Sequence, residues 1–239
     1  MNEKSIIKSI GLSANFLKDF KLLRSFINNR LLQPNIHFNK IALKSESSYP
    51  EIFLTGIQEQ YYNFILEDYS YFQFNYADEE DRKNGCHKPY ARYAYYPNPF
   101  ENLDTETGEG EKFDIEKLDF EDYSQILSEY KVNNSKVPIR YDVSFKQYKK
   151  IYHPVAHFHF GLGENTRIAA DKILSPLSFI AFVLHWTYID YYKEFKSHDN
   201  NFKLNRDHYK SLKDDPLVYL YNDDEDYFCD IQKQLLCIR

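Results

Sequence analysis

Two short segments of the sequence carry the side chains best suited to catalysis or ligand binding. Arg140 and Asp142 alternate with apolar residues in one segment, and His157 and His159 alternate with apolar residues in the other. Residues two apart in a β-strand point to the same face, so each segment predicts a strand with one apolar and one ionisable face. If the two strands pair, the four side chains form one patch, although alternation within a strand does not fix the register between strands.

The two histidines are suited to proton transfer. Imidazole titrates near neutral pH, so His157 and His159 can serve as general base and general acid. Arg140 and Arg167 can hold an anionic group and stabilise charge that develops on it, and Asp142 can orient one imidazole. This set predicts metal-independent cleavage of a phosphodiester, most simply in RNA, whose 2′-hydroxyl is an internal nucleophile. The predicted site residues are His157, His159, Arg140 and Asp142 for catalysis, with Arg167 and His153 for substrate binding.

Two other interpretations of the same residues remain open. The His-x-His segment, together with His153 or Asp142, offers the three ligands that a catalytic zinc or iron site needs. This spacing is only weakly specific for a metal, so we expect neither a metal nor another cofactor. In the third interpretation the cluster is structural, and its histidines are hydrogen-bonded beneath a core helix.

Other polar and aromatic residues are weaker candidates. Gln73 and Asn75 share one face of an earlier strand and are candidate neighbours of the patch. His185 lies beside Trp186 in an apolar segment, which is typical of a core histidine rather than a ligand. Six tyrosines in strand-like segments can stack on bases, although packing within the sheet is the simpler interpretation. They are Tyr61, Tyr62, Tyr71, Tyr93, Tyr95 and Tyr96.

The apolar pattern predicts the elements that position these residues. Residues 6–32 repeat at helical spacing and predict a long helix, and residues 37–43 alternate weakly, as a short strand does. Ser175 and Pro176 provide a cap and a first-turn residue for a helix. That helix, residues 177–192, is apolar nearly all round and is therefore expected to be buried at the centre. The remaining strands are predicted at 61–66, 70–76, 90–96, 137–143 and 155–161.

The order of helix, consecutive strands and helices predicts an α+β fold. We expect a single domain over residues 1–239, with an antiparallel or mixed sheet on which the N-terminal helix and the buried central helix pack. The acidic stretch 101–122 predicts a solvated loop or insertion, or else a docking surface for a basic partner. A short helix is predicted at 120–130. Residues 198–239 are expected to form a helical C-terminal extension that ends in a helix over 224–237.

Composition limits the classes of function. The net charge of −6 argues against non-specific coating of nucleic acid, because such binding depends on neutralising phosphates. Three cysteines without CxxC spacing predict reduced thiols and a cytoplasmic location. The sequence begins without the apolar core of a signal peptide and has no apolar run long enough to span a bilayer, so no membrane association is expected.

A series of segments, taken in order, resembles the bacterial domain of unknown function 2290 family. They are YYNFILEDYSYFQFNY at 61–76, YAYYPNP at 93–99, IRYD at 139–142 and HPVAHFHFG at 153–161, followed by Arg167 and Ser175-Pro176. The resemblance covers residues 5–195, and the HPVAHFH segment is its most specific part. The acidic stretch and the C-terminal tail are less typical of the family. The resemblance implies family membership but supplies no biochemistry.

We therefore expect an intracellular protein with a histidine-based hydrolase or nuclease site that acts on a phosphate-containing substrate such as RNA, in a toxin or phage-defence context. The alternative is a non-catalytic interaction module, in which the acidic loop or the aromatic sheet binds a partner protein. An enzyme predicts histidines beside an accessible cleft lined by Arg140 or Arg167. An interaction module predicts buried, fully paired histidines and an exposed apolar or acidic patch elsewhere.

Overall fold

The computed structural model describes most of the chain up to residue 189 and short stretches beyond it. The described residues are 2–27, 30–44, 46–80, 87–101, 113–120, 123–163, 166–189, 212, 218–220, 227–228, 231–232 and 237–238. The helices are α1 (Glu3–Asp19), α2 (Ile36–Ala42), α3 (Tyr49–Gln58), α4 (Tyr123–Glu129) and α5 (Pro176–Thr187). The strands are β1 (Leu23–Phe26), β2 (Phe64–Leu66), β3 (Tyr71–Glu80), β4 (His87–Tyr96), β5 (Ile139–Ser144), β6 (Ala156–Phe160), β7 (Ile168–Ala170), β8 (Lys172–Ile173), β9 (Val218–Tyr219) and β10 (Cys237–Ile238).

One eight-stranded sheet organises the fold, in the spatial order β1-β2-β3-β4-β5-β6-β7-β10. The first seven strands follow the chain and pair antiparallel, whereas β10 joins the edge parallel to β7. β8 and β9 form a separate two-stranded ladder. The predicted α+β class, with a mixed sheet and an N-terminal helix, is confirmed.

Helices α1 and α5 cover one face of this sheet. Asn2 and Ser5 form a capping box that starts α1, and the hydroxyl of Ser175 accepts a hydrogen bond from the Ser178 amide to start α5. Phe179 of α5 is fully buried at the centre of the core. Its ring lies 5.9–6.4 Å from five sheet rings, those of Phe72, Phe74, Tyr93, Tyr141 and Phe158. The predicted central helix is therefore confirmed.

Helices α2 and α3 cover only part of the opposite face. Their apolar side chains pack on Tyr71, Ala94 and Tyr96, which belong to β3 and β4. Within the described part of the chain, this second core cluster contains no residue of β5 or β6. The strand segments that carry Arg140, Asp142 and the two histidines therefore lie beside the helical cover rather than under it.

Local capping signals explain where the observed elements differ from the predicted ones. The helix predicted at 6–32 ends at Asp19, because Lys21 adopts a left-handed φ of 54° and the chain turns into β1. The strand predicted at 37–43 is helix α2, whose first turn is capped by the Asn35 side chain. Helix α3 was not predicted, although Ser48 and Pro50 provide its cap and first turn.

The described C-terminal residues agree only in part with the predicted helical extension. Residues 231–232 are helical, but Cys237–Ile238 is a strand rather than the end of a helix over 224–237. Val218–Tyr219 is also a strand, so the region 198–239 is not wholly helical. Most of this region lies outside the described residues, as do the side chains of the three cysteines.

The acidic stretch and the end of α5 also differ from expectation. Residues 102–112 and 121–122 lie outside the described part, but Phe113 is buried against Phe100, so the stretch 101–122 is not entirely solvated. The short helix predicted at 120–130 is present as α4. Helix α5 ends at Thr187 instead of 192, and His185 in its last turn is exposed, so the expectation of a core histidine is wrong.

The strand tyrosines are packing residues, as the simpler interpretation held. Five of the six are buried, and Tyr62 is half-buried. Their rings contact one another within the sheet, as in the stacked pair of Tyr71 and Tyr96 at 4.9 Å. None of the described helices is long and apolar enough to cross a lipid bilayer.

The packing of α3 on the sheet can be tested at Gly56. A Cβ atom at this position would lie 2.0 Å from Oη and 2.7 Å from Cζ of Tyr71, whose ring is fully buried. Alanine has a higher helix propensity than glycine, but the steric overlap should outweigh this gain. Gly56→Ala is therefore expected to lower the free energy of unfolding, measured in urea, by about 1–3 kcal/mol.

Gly163→Ala is the matched control, because a Cβ atom there has no heavy atom within 4 Å. Its unfolding free energy should change by less than about 0.5 kcal/mol. If Gly56→Ala unfolds at the same urea concentration as the wild type, the close approach of α3 to Tyr71 is incorrect.

Candidate functional site

The predicted patch forms because β5 and β6 are neighbours in the register that brings their ionisable faces together. Arg140 lies opposite His159, and Asp142 lies opposite His157. On the other side of β5, Asp142 lies opposite Arg92 of β4. The alternating apolar residues of these strands enter the core under α5. The pairing predicted from the two segments is thus observed, and three strands contribute side chains to one surface.

The carboxylate of Asp142 joins the three strands. Its Oδ1 atom accepts a hydrogen bond of 3.2 Å from Nε of Arg92, and its Oδ2 atom accepts one of 3.0 Å from Nε of Arg140. Nε2 of His159 lies 3.6 Å from Oδ2, which is an ion-pair distance if the imidazole is protonated. Asp142 therefore orients two guanidinium groups by hydrogen bonds and contacts one imidazole more loosely.

The position of His157 is fixed by the His-Pro turn before β6. Nδ1 of His157 lies 3.1 Å from the carbonyl oxygen of Pro154. A carbonyl oxygen can only accept, so Nδ1 carries the proton and Nε2 keeps its lone pair. The ring of His157 lies 4.9 Å from that of His153 and 4.8 Å from that of His159, which makes a continuous row of three imidazoles.

Burial keeps these imidazoles neutral at pH 7. Burial is the main cause that lowers the pKa of His157 to about 4, and the Asp142 carboxylate only partly opposes it. For His159, burial and the adjacent Arg140 guanidinium lower the pKa to about 4. Burial and Arg167 also lower the pKa of His153. The side chains of His157 and His159 are 1% and 2% exposed, respectively, which agrees with this cause.

These residues line a cavity of about 340 Å³, here called the histidine cavity. Among the described residues, four cationic side chains and one carboxylate line it, which favours an anion. All six residues predicted from the sequence are among its lining residues. The full lining is Arg92, Arg140, Asp142, Gln147, Lys149, His153, His157, His159 and Arg167.

Three buried polar atoms of this cavity have no hydrogen-bond partner among the described residues. They are Nδ1 of His153, Nδ1 of His159 and Nε of Arg167. Buried polar groups without partners cost free energy, and native proteins leave few of them. A cationic donor such as the Arg167 guanidinium is best satisfied by an anionic oxygen. The guanidinium group of Arg167 is therefore a candidate donor to a bound anionic group.

The charge of the cavity argues against a cation. Ligand atoms of Asp142, His157 and His159 lie within 4.8 Å of one another, and two histidines with one carboxylate are a known ligand set for iron. However, both oxygens of Asp142 already accept hydrogen bonds from arginine. A metal ion would have to displace these donors and approach the surrounding cationic groups. The donor types fit a metal, whereas the electrostatic environment fits an anion.

Sequence reasoning missed Arg92, Gln147 and Lys149. Arg92 is the one charged residue in the aromatic segment 90–96, and its alternation with Tyr93 could have placed it on the polar face. An isolated β-bridge pairs Lys149 with His153 and brings Lys149 to the cavity. No periodic pattern in the sequence indicates this bridge. The other two candidates, Gln73 and Asn75, lie on the same face but line an adjoining cavity.

The neutral histidines predict that acid destabilises the fold. Each has a pKa near 4 when folded and about 6.5 when unfolded. Between these values the unfolded chain binds more protons, so the free energy of unfolding falls as the pH falls from 7 to 5. Each histidine contributes at most about 1.4 kcal/mol per pH unit, and solvent in the open cavity reduces this value.

Urea denaturation at pH 5, 6 and 7 measures how the free energy of unfolding changes with pH. Because carboxylates also titrate in this range, the wild type is compared with the double variant His157→Asn/His159→Asn. The free energy of unfolding of this variant should fall less steeply between pH 7 and pH 5. An identical slope in the folded variant would mean that these histidines are not held neutral by burial.

Comparisons with known proteins bear on the family alone. No match is found among curated proteins or among solved structures. One family model, described as "Uncharacterized conserved protein (DUF2290)", matches residues 16–218, a span that includes every residue of the histidine cavity. That span is well over half of the 239 residues and confirms the resemblance seen in the sequence motifs. The chain belongs to the DUF2290 family.

Proposed function

We propose that the histidine cavity binds a phosphodiester and cleaves it without a metal ion, most simply in RNA. The observation that supports this proposal is the pair of neutral, adjacent imidazoles of His157 and His159 in a cavity with four cationic side chains. The predicted cytoplasmic location and the toxin or phage-defence context stay predictions.

His157 is the general base in this proposal. Its Nδ1 proton is held by the Pro154 carbonyl, so the lone pair of Nε2 is available to accept a proton from the 2′-hydroxyl. The O2′–P bond forms as the P–O5′ bond breaks, which leaves a 2′,3′-cyclic phosphate. Arg140 and Arg167 neutralise the non-bridging oxygens, whose negative charge grows in the transition state.

His159 is the general acid. In its protonated form it gives a proton to the departing O5′ atom, which becomes a 5′-hydroxyl. Asp142, whose Oδ2 atom lies 3.6 Å from Nε2 of His159, stabilises that protonated form. One imidazole gains a proton and the other loses one, so the protons balance within each turnover and exchange with solvent restores the starting state.

A role in binding a partner protein is the second candidate. The burial of His157 and His159 agrees with this alternative. Ile36, Tyr152 and Trp186 are 86%, 83% and 67% exposed, but single exposed side chains do not make the apolar patch that it predicts. The unpaired buried Nε atom of Arg167 favours the first candidate, because a structural cluster should have its cationic donors paired.

Cleavage of RNA by purified protein is the direct test. His157→Asn can keep a donor toward the Pro154 carbonyl but removes the base, so we expect cleavage to fall by about 10²–10⁴-fold. Addition of EDTA should leave the wild-type rate unchanged. The rates are measured on a labelled single-stranded RNA with total RNA as competitor.

His185→Asn is the matched control, since it makes the same substitution at an exposed histidine in the last turn of α5. It should cleave RNA at the wild-type rate. Loss of wild-type cleavage in EDTA would contradict the metal-free step. Absence of cleavage by folded wild type would remove the nuclease proposal and leave the partner-binding role.

The pH dependence of kcat/KM tests the roles of the two imidazoles. Catalysis needs one neutral and one protonated imidazole, and kcat/KM reports the free protein, in which both histidines have a pKa near 4. Above pH 5, the fraction of the protein that carries one protonated imidazole therefore falls about tenfold for each unit by which the pH rises. We expect kcat/KM to decrease from pH 5 to pH 7, measured where the protein remains folded. A rate that rises with pH is instead expected of a metal-bound hydroxide and would contradict the assignment.

A further inference from the structure

A second cavity of about 280 Å³ adjoins the histidine cavity and is here called the amide cavity. Arg92 and Arg140 line both cavities. Each of these arginines donates a hydrogen bond to Asp142, and this bond holds the guanidinium group at the boundary between the two cavities. A ligand bound across this boundary can therefore place one part in each cavity and contact the same two guanidinium groups with both parts.

The amide cavity is built from β3, β4 and the chain around α2. Gln73 and Asn75 of β3 line it together with Ala42 at the end of α2 and Ser47 before α3. Gln73 lies opposite Ala94 of β4, which in turn lies opposite Arg140 of β5, so the three side chains share one face of the sheet. The polar face of the sheet thus extends from the histidine cavity into the amide cavity, which is partly enclosed rather than open to solvent.

The two amide groups are held in fixed orientations. Nε2 of Gln73 donates to the carbonyl oxygen of Tyr61. Nδ2 of Asn75 donates to the Tyr61 hydroxyl at 2.8 Å and to the carbonyl oxygen of Leu32 at 2.9 Å. Fixed amides recognise a ligand edge with little loss of conformational entropy on binding.

Aromatic, cationic and aliphatic side chains make up most of the remaining lining. Phe38, Tyr61 and Tyr96 provide rings, and the ring of Phe38 lies 5.0 Å from that of Tyr61. Lys44 adds a positive charge to those of the two arginines, and the described lining residues include no carboxylate. No donor in the described part of the chain occupies the amide oxygens of Gln73 and Asn75, which remain free to accept hydrogen bonds. A flat ligand with N–H donors on its edge for these oxygens, and with acceptors for the guanidinium groups, matches this combination of rings, amides and cationic side chains.

Ser47 offers a further polar group beside the amide cavity. It is one of the lining residues, and its Oγ atom has no hydrogen-bond partner among the described residues. A buried hydroxyl without a partner is costly, and a polar group bound in the cavity would satisfy it.

We infer that the amide cavity receives the nucleoside attached to the phosphate in the histidine cavity. This inference rests on the proposed function and names its substrate class, a nucleotide unit of single-stranded RNA. The shared guanidinium groups of Arg92 and Arg140 can stack on the base while they donate to the phosphate. A cavity of this size is at the lower limit of ligand pockets and holds one nucleoside rather than several.

Calorimetric titration of the full chain tests the inference. The ligands are guanosine and uridine 3′-monophosphate, with ribose 5-phosphate and inorganic phosphate as ligands that lack a base. We expect the nucleotides to bind at least about tenfold more tightly than both base-free ligands, which is the effect of one or two stacking and hydrogen-bonding contacts.

Two variants locate the base. Ser47→Ala should reduce the preference for nucleotides about fivefold, because it removes one hydrogen bond, while its melting temperature does not fall. Ala42→Leu should abolish the preference by filling the cavity without removing a charge. Neither should change the affinity for inorganic phosphate. If Ala42→Leu fails to fold, Ser47→Ala alone decides the question.

Ser48→Ala is the matched control, because Ser48 adjoins Ser47 in sequence but caps α3. It should lower the melting temperature and keep the preference for nucleotides. Equal affinities of wild type for nucleotides and base-free phosphates would overturn the inference but leave the phosphate site. If none of the four ligands binds, both the phosphate site and the base site are wrong.

Discussion

The ion pairs of Asp142 with Arg92 and Arg140 are the interactions on which the candidate site depends. Two guanidinium groups on adjacent strands repel each other, and only a carboxylate between them lets both remain partly buried. The same carboxylate sets the direction in which each arginine presents its remaining donors. Without this charge the cationic lining would separate or draw in solvent, and the imidazole row would lose the carboxylate that partly opposes the lowering of its pKa values.

Stability and chemistry occupy different faces of one sheet. The face under α1 and α5 is filled with aromatic rings, whose burial supplies the main free energy of folding. The opposite face is covered by α2 and α3 only beside β3 and β4. This unequal cover lets the protein place buried ionisable groups at a cavity wall without opening its central core, and the rigid strands keep those groups in position.

Part of the site could be predicted because β-structure alternates strictly. The shared faces of Arg140 with Asp142 and of His157 with His159 follow from spacing alone. Spacing does not indicate which strand pairs with β5 on its other side. Arg92 of β4 was therefore missed, although it lies opposite Asp142. The end of α1 depends on the left-handed backbone of Lys21, and the strand at Cys237–Ile238 depends on pairing with a distant segment. Periodicity within a short window carries neither kind of information.

The two arginines shared by the cavities make their occupancies interdependent. A group that draws a guanidinium toward one cavity changes its position in the other, since Asp142 restrains both arginines. Thermodynamic linkage makes such an effect reciprocal, so each ligand part alters the affinity for the other by the same factor. Under the proposed function, recognition of the base would then appear as faster cleavage rather than only as tighter binding, if the guanidinium groups reach their best positions around the transition state. The boundary between the cavities would in that way set the selectivity of the proposed reaction.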